Sequence, residues 1–116
     1  MLILTFLLAA HVVVAFSGTA TAAIGDSRYG VYVVDEAQVI TAKAKNRLYS
    51  SARWLHDQTG SAQVGVVTVP SLEGTTLEQL AVDTFRKLGL GSSKRNDGVL
   101  LLYSAADKHV RIEVGY

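Results

Sequence analysis

Two short apolar segments near the end of the sequence predict a β-hairpin. Residues 99–103 form an apolar run between two groups of turn residues, as expected for a strand that is covered on both faces. Residues 110–114 alternate apolar and charged side chains, as expected for a strand with one solvent-exposed face. A turn at residues 106–107 joins the two as antiparallel partners and places Gly98 opposite Gly115.

Polar side chains are predicted to converge at the open end of this hairpin. The pairing brings Asp97, with Asn96 before it, beside Tyr116 and leaves Glu113 one diagonal away, at about 7 Å. Oxygen ligands of this kind select calcium or magnesium, so Asn96, Asp97 and Glu113 are candidate metal ligands. Asn-Asp-Gly is also a good turn in its own right, and Glu113 on a solvent-exposed face is more often a surface residue. A structural role therefore stays open.

Two amphipathic helices are predicted upstream of the hairpin. Thr41 is the expected N-cap of the first helix, and Gly60 ends it. Thr76 and Gln79 are expected to form the capping box of the second helix, which Gly89 ends. The apolar face of the first helix, expected to pack on a sheet, consists of Ala44, Leu48, Ala52 and Leu55.

The order of these elements predicts the fold class. Residues 64–69 form a β-branched strand that Pro70 stops. Strand, helix and strand then make a βαβ crossover, in which this strand runs parallel to residues 99–103. With the antiparallel hairpin added, we expect an α/β fold: a layered α/β/α sandwich with a mixed sheet.

The beginning of the sequence differs sharply from the rest. The first 25 residues carry no Asp, Glu, Lys or Arg, residues 2–16 are almost entirely apolar, and residues 20–22 form an A-x-A pattern. We predict a signal peptide or a retained N-terminal anchor over residues 1–23, a linker over 24–31 and one domain over 32–116. The expected location is secreted or in the cell envelope, with membrane proximity if the segment stays uncleaved.

Composition narrows the chemistry. Eleven basic and ten acidic residues give a net charge of +1, and their interspersion argues against a concentrated nucleic-acid surface. The sequence contains no cysteine, which excludes disulfides, thiolate metal sites and a thiol nucleophile. No nucleophile with a paired general base stands out either.

Several motifs together resemble the TPM domain family. Residues 96–102 (NDGVLLL) and 110–116 (VRIEVGY) are similar to the most typical segments of that family. Residues 34–37 (VDEA) and 66–74 (VVTVPSLEG), followed by Phe85 with its Gly-x-Gly pair, match it in the same order. The resemblance covers about residues 32–116. Because TPM domains continue past the Gly-Tyr pair, it also implies a domain that is incomplete at the C-terminal end.

The resemblance implies two alternative functions. Some TPM domains bind calcium and one thylakoid member is described as an acid phosphatase, which implies a weak metal-assisted phosphatase with Asp97 and Glu113 as catalytic residues. Other members are thought to assist the assembly or repair of membrane complexes, which implies a non-catalytic binding module. Asp35 matches a family acid and is a further candidate ligand. Its place in the site depends on residues 31–34 running back along the sheet.

Overall fold

A computed structural model describes residues 28–115 as one four-stranded sheet with a helix on each face. The elements, in chain order, are a 3-10 turn at Gly30–Tyr32, β1 at Val33–Asp35, α1 at Ala42–Thr59, β2 at Gln63–Val69, α2 at Leu77–Leu88, β3 at Gly98–Ser104 and β4 at His109–Val114. The predicted signal peptide or anchor and the first part of the linker lie outside the described residues. Within residues 28–115, no helix has the length and apolar character that crossing a bilayer requires.

The sheet has the predicted mixed topology. Its strand order is β1-β2-β3-β4, with β1, β2 and β3 parallel and β4 antiparallel to β3. The predicted hairpin register is confirmed, because Val99 pairs with Val114 and the Gly115 N–H donates to the Gly98 carbonyl at 3.0 Å. The βαβ unit with β2 parallel to β3 is confirmed as well.

The helix ends follow the predicted capping residues with one exception. Thr41 Oγ1 accepts from the Ala44 N–H at 3.2 Å, and Thr76 Oγ1 accepts from the Gln79 N–H at 3.1 Å. Gly60 and Gly89 end α1 and α2 in the left-handed conformation, with φ of 76° and 61°. The predicted capping box is wrong in its second half: the Gln79 side chain donates to Asp83 at 2.9 Å, one turn further along α2.

The two helices cover different halves of the sheet on opposite faces, so the layered α/β/α prediction is confirmed. On one face, α2 packs on an apolar cluster that includes Val67, Leu100 and Leu102. On the other face, α1 packs on β1 and β2, and Ala52 joins a second cluster there. The members of the second cluster are Tyr29, Tyr32, Val33 and Ala52, with Val31, Ile40 and Tyr49 packed against them.

The side of α1 that packs on the sheet is wider than the predicted one. Ala52 is buried as expected, but Leu48 is 36% exposed. Tyr49, which was not predicted, is half-buried against the second cluster, with its ring 5.8 Å from the rings of both Tyr29 and Tyr32. Tyr29 is 7% exposed and Val31 packs against both clusters, so these two residues of the predicted linker contact the domain.

The faces of β4 are the reverse of what its alternating pattern indicated. Val110, Ile112 and Val114 are 58%, 61% and 41% exposed, whereas Glu113 is 6% exposed. The physical reason is the register: Glu113 lies opposite Leu100, on the face that α2 covers, and the apolar residues lie on the face that α1 leaves free. Alternation defines two faces of a strand but does not say which one another element covers.

This leaves an extended apolar surface, which we name the open face. Directly opposite residues in neighbouring strands share a face, so rows of side chains run from β2 through β3 to β4. Leu55 of α1 borders a groove with Val64 and Val66, and Trp54 lies beside Leu55 with 64% exposure. The open face comprises Trp54, Leu55, Val64, Val66, Val99, Leu101, Tyr103, Val110, Ile112 and Val114.

Candidate functional site

The loop between α2 and β3 is held against the sheet by a very close backbone approach. Gly91 has φ of 75°, and a Cβ at that position would lie 2.3 Å from the Gly98 nitrogen. A Cβ on Gly98 would lie 2.3 Å from the Leu90 carbonyl oxygen. Only glycine fits at both positions, and this contact brings Asp97 to the edge of the sheet.

Asp97 is the centre of the hydrogen bonds in this loop. Its Oδ2 accepts from the Ser61 hydroxyl at 2.5 Å and its Oδ1 accepts from the Ser92 N–H at 2.7 Å. Gln63 at the start of β2 makes a third hydrogen bond to this loop, in which its Oε1 accepts from the Gly91 N–H at 2.9 Å. The carboxylate therefore connects the start of β2 to the loop that precedes β3.

The same contacts keep Asp97 ionised. The hydrogen bond from Ser61, then the one from the Ser92 N–H, hold the pKa of the Asp97 carboxyl below its ordinary value, and the nearby charge of Arg95 acts in the same direction. Arg95 also donates through Nη1 to the Thr59 carbonyl at 3.2 Å and to the Ser61 hydroxyl at 3.4 Å. The positive charge of Arg95 therefore lies at the negative, C-terminal end of α1.

Asn96 lies beside Asp97, as its position in the turn predicted. Its backbone has φ of 49°, a left-handed conformation that asparagine tolerates, and its N–H donates to the Ser92 carbonyl at 2.8 Å. The side chain is exposed. Asn96 backbone atoms lie 3.3 Å from a Cβ built on Gly115, so the loop and the end of the hairpin do meet.

Glu113 does not join this group, and the predicted diagonal contact with Asp97 is wrong. Glu113 pairs with Leu100, three residues beyond Asp97, and lies on the face covered by α2. Its Oε2 is 3.3 Å from Arg111 Nε, and Arg111 Nη1 is 3.9 Å from Glu78 of α2. These contacts describe a half-buried ion-pair network between β4 and α2.

Asp35 lies at the opposite edge of the sheet. It pairs with Thr68, which pairs with Tyr103, and Tyr103 is five residues along β3 from Gly98, a distance of about 17 Å. The Asp35 carboxylate is 2% exposed and accepts from the Thr68 hydroxyl at 2.6 Å. Residues 31–34 do run along the sheet, but they carry Asp35 away from Asp97.

The Asp35 carboxylate connects the segment after β1 to α1. Its oxygens accept from the N–H groups of Val39 and Ile40, each at 3.1 Å, and Lys45 Nζ lies 3.2 Å away. Burial alone would raise the pKa of the Asp35 carboxyl. The hydrogen bonds from Thr68, Val39, Ile40 and Lys45 outweigh burial and hold the pKa below its ordinary value.

The four predicted metal ligands do not fit one metal centre. Within residues 28–115, no three His, Cys, Asp or Glu side chains gather closely enough to hold a metal ion. Asn96 and Asp97 are the adjacent pair among the four candidates, while Glu113 is engaged by Arg111 and Asp35 by Lys45. A cation at this edge would therefore have to rely on Asp97, Asn96 and backbone or hydroxyl oxygens.

The sequence did not predict two features of functional interest, the partners of the Asp97 loop and the open face. Ser61 and Gln63 are partners of the Asp97 loop, and their position just after the glycine that ends α1 gives only a faint signal, namely polar residues at a strand start. The open face carried a clear signal in the apolar alternation of β4, but that alternation was interpreted with the opposite orientation. A second signal for the open face was Trp54, a large apolar residue among the polar residues of α1.

Comparison with known proteins gives both a structural relative and a family. A search of curated proteins finds no match. The solution NMR structure of the N-terminal domain of a protein from P. gingivalis is similar to this chain with a TM-score of 0.67 and 28% sequence identity, over 78% of this chain and 57% of that one. The family model of the TPM domain matches residues 33–116. With that match over most of its length, the chain belongs to the TPM domain family.

Proposed function

We propose that this chain is an extracytoplasmic binding module that assists the assembly or repair of a membrane protein complex, without catalysis of its own. The observation that carries the proposal is the open face. Contiguous exposed apolar patches on a protein surface mark interaction sites. The location is supported by the sequence alone, through the apolar run at residues 2–16 and the A-x-A pattern that follows it.

Trp54 is the expected anchor of this surface. Its side chain is 64% exposed beside Leu55, and Leu55 in turn borders the groove formed with Val64 and Val66. Tryptophan is the residue type most enriched among those that dominate binding energies at interfaces. The neighbouring Arg53 belongs to the same exposed part of α1, where it pairs with Asp57 at 3.6 Å.

The test compares Trp54→Ala with Arg53→Ala as a matched control. Each tagged full-length variant is expressed in the source cells, and the fraction that co-sediments with membrane complexes in mild detergent is measured. We expect Trp54→Ala to lose about 2 kcal/mol of binding, about 30-fold in affinity, and Arg53→Ala to behave as the unmodified protein. Equal retention of both variants would reject the open face as the binding surface.

A second candidate is a weak calcium or magnesium site at the Asn96-Asp97 turn. It is favoured by the lowered pKa of Asp97, which keeps a carboxylate charged at a sheet edge where α1 and α2 both end. Oxygen donors of this kind suit both cations. Arg95 opposes the site, because its positive charge lies next to the same carboxylate.

Calorimetry with calcium chloride tests this site. Asp97→Asn removes the carboxylate charge at the turn, whereas the matched control Asp107→Asn removes a hydrogen-bonded carboxylate in the turn between β3 and β4, at the other end of the hairpin. We expect calcium binding to be lost in Asp97→Asn and retained in Asp107→Asn. Binding that survives Asp97→Asn unchanged would rule out this turn as the site.

The acid phosphatase alternative depends on that cation site and on a phosphorylated substrate. It is tested by turnover of a generic phosphomonoester at acidic pH, with and without added calcium. Calcium-dependent turnover that Asp97→Asn abolishes and Asp107→Asn preserves would support catalysis at this edge. Turnover that both Asp97→Asn and Glu113→Gln leave intact would reject the catalytic assignment of these two acids.

A further inference from the structure

The outer edge of β4 presents unpaired backbone groups in a regular order. Gly98 and Gly115 form a hydrogen-bonded pair, because the Gly115 N–H donates to the Gly98 carbonyl. Along an antiparallel ladder, hydrogen-bonded pairs alternate with pairs that are not hydrogen-bonded. Arg111 and Glu113 therefore direct their backbone N–H and C=O groups toward β3, while Val110, Ile112 and Val114 direct theirs outward. Among residues 28–115, no strand pairs with this edge.

Only certain antiparallel registers can join two such edges around a two-fold axis. Residues with outward backbone groups must face one another, and only an axis at Arg111 or at Ile112 then pairs five of the six residues of β4. An axis at Arg111 places the two Arg111 side chains directly opposite each other, and like charges in that position are destabilising. An axis at Ile112 places Arg111 of each copy opposite Glu113 of the other and pairs Val110 with Val114. The register centred on Ile112 therefore both forms backbone hydrogen bonds between the two edges and places opposite charges across the seam.

The two helices leave room for this pairing. None of the helices in residues 28–115 covers the open-face side of β4, where Val110 and Ile112 are exposed. On the other side, α2 straddles β3 and β4: Phe85 lies within 2.9 Å of a Cβ built on Gly98, and Glu78 is 3.9 Å from Arg111. With strands about 4.8 Å apart, the two copies of α2 would lie two strand spacings apart, about 10 Å, which is an ordinary helix-packing distance.

We propose that two copies of this chain associate through β4, antiparallel and centred on Ile112, to form one continuous eight-stranded sheet. The second copy is the occupant because the β4 edge is complementary to itself in hydrogen bonding, apolar pairing and charge. The two open faces then lie side by side on one surface of the joined sheet. This arrangement goes beyond the binding-module proposal and does not depend on it.

A single introduced cysteine tests the register, since the sequence contains none. The paired Ile112 residues would have their Cα atoms about 5.5 Å apart, within the range that a disulfide spans. We expect full-length Ile112→Cys to form a disulfide-linked dimer under mild oxidation at least about tenfold faster than the matched control Val110→Cys. In the control, each cysteine faces Val114 of the other copy and is four residues from its counterpart.

Charge complementation provides an independent measurement by sedimentation velocity. Arg111→Glu and Glu113→Arg each place like charges across the seam, so we expect each variant alone to sediment as a monomer while circular dichroism shows a folded protein. Mixed in equal amounts, the two variants restore opposite charges and should form a mixed dimer. A monomeric unmodified protein, equal cross-linking of Ile112→Cys and Val110→Cys, or no association in the mixture would each overturn the proposal. None of these outcomes would affect the Trp54 test.

Discussion

At the scale of single residues, Asp35 matches an acidic residue of the TPM family and was a candidate metal ligand, but its contacts are structural. Its carboxylate holds the segment after β1 through Val39 and Ile40, reaches β2 through Thr68, and meets α1 at Lys45. The sequence indicates an acid before a helix, but not its partners, because Thr68 lies 33 residues away. Side-chain partners at such separations depend on strand order and register.

Replacing Asp35 by Asn is expected to lower the free energy of unfolding by about 2 kcal/mol, because buried donors lose a charged acceptor. Urea denaturation measures the loss, and Asp57→Asn, which alters an exposed ion pair with Arg53, serves as the control with a change below about 0.5 kcal/mol. Equal effects of the two substitutions would contradict the structural role of Asp35.

The lowered pKa of Asp35 also predicts a pH dependence. A carboxyl whose pKa is lower in the folded state stabilises the fold fully above its unfolded pKa, about 3.9, and this contribution is lost as pH falls through the folded pKa. The unfolding free energy of the unmodified protein should therefore fall more steeply below about pH 4 than that of Asp35→Asn. Parallel pH profiles would show that Asp35 is not responsible.

At the scale of elements, the sequence predicted the order, ends and pairing of the helices and strands well. Capping threonines and terminal glycines are local signals, and they located both helices correctly. The side chain of Gln79 was mispredicted because two partners within one turn, the Thr76 backbone and Asp83, compete for it. The prediction for the packed side of α1 was incomplete, since it missed Tyr49, which packs against tyrosines from residues before β1.

The contact of the α2–β3 loop with β3 gives a prediction for two glycines. Gly98→Ala should destabilise the fold by about 3 kcal/mol, because the new methyl group would overlap the Leu90 carbonyl and the Phe85 ring. Gly74→Ala is the control: its φ is 84°, but no atom lies within 4 Å of a built Cβ, so about 1 kcal/mol of backbone strain is expected. Thermal or urea unfolding measures the loss of stability in both variants. Similar losses in the two would contradict the close backbone contact between Gly98 and Leu90.

At the scale of the whole molecule, the family and the layered fold followed from the sequence, whereas the candidate site did not. A metal centre requires side chains from several strands to share one face and one edge. Glu113 lies on the face opposite to the expected one, and Asp35 lies at the other edge. Local patterns fix neither property, because each is decided by which half of the sheet each helix covers.

This offset of the helices predicts very different costs for two apolar strand residues. Leu100 is fully buried under α2, and Leu100→Ala should cost about 3 kcal/mol. Ile112 is 61% exposed, so Ile112→Ala should cost about 0.5 kcal/mol or less when unfolding is measured at a dilution that keeps the chain monomeric. A large loss for Ile112→Ala in the monomer would mean that the open face is covered within the chain.

The hydrogen bonds of Asp97 have a consequence for the timing of local opening. One carboxylate holds Ser61, which follows α1, and Ser92, which follows α2, so neither connection can separate without weakening the other. The turn after α1 and the loop after α2 should accordingly behave as a single cooperative unit. In hydrogen exchange, the amides of Gly91 and Ser92 would then become labile in the same event and would lose their protection together when Ser61 is changed to Ala.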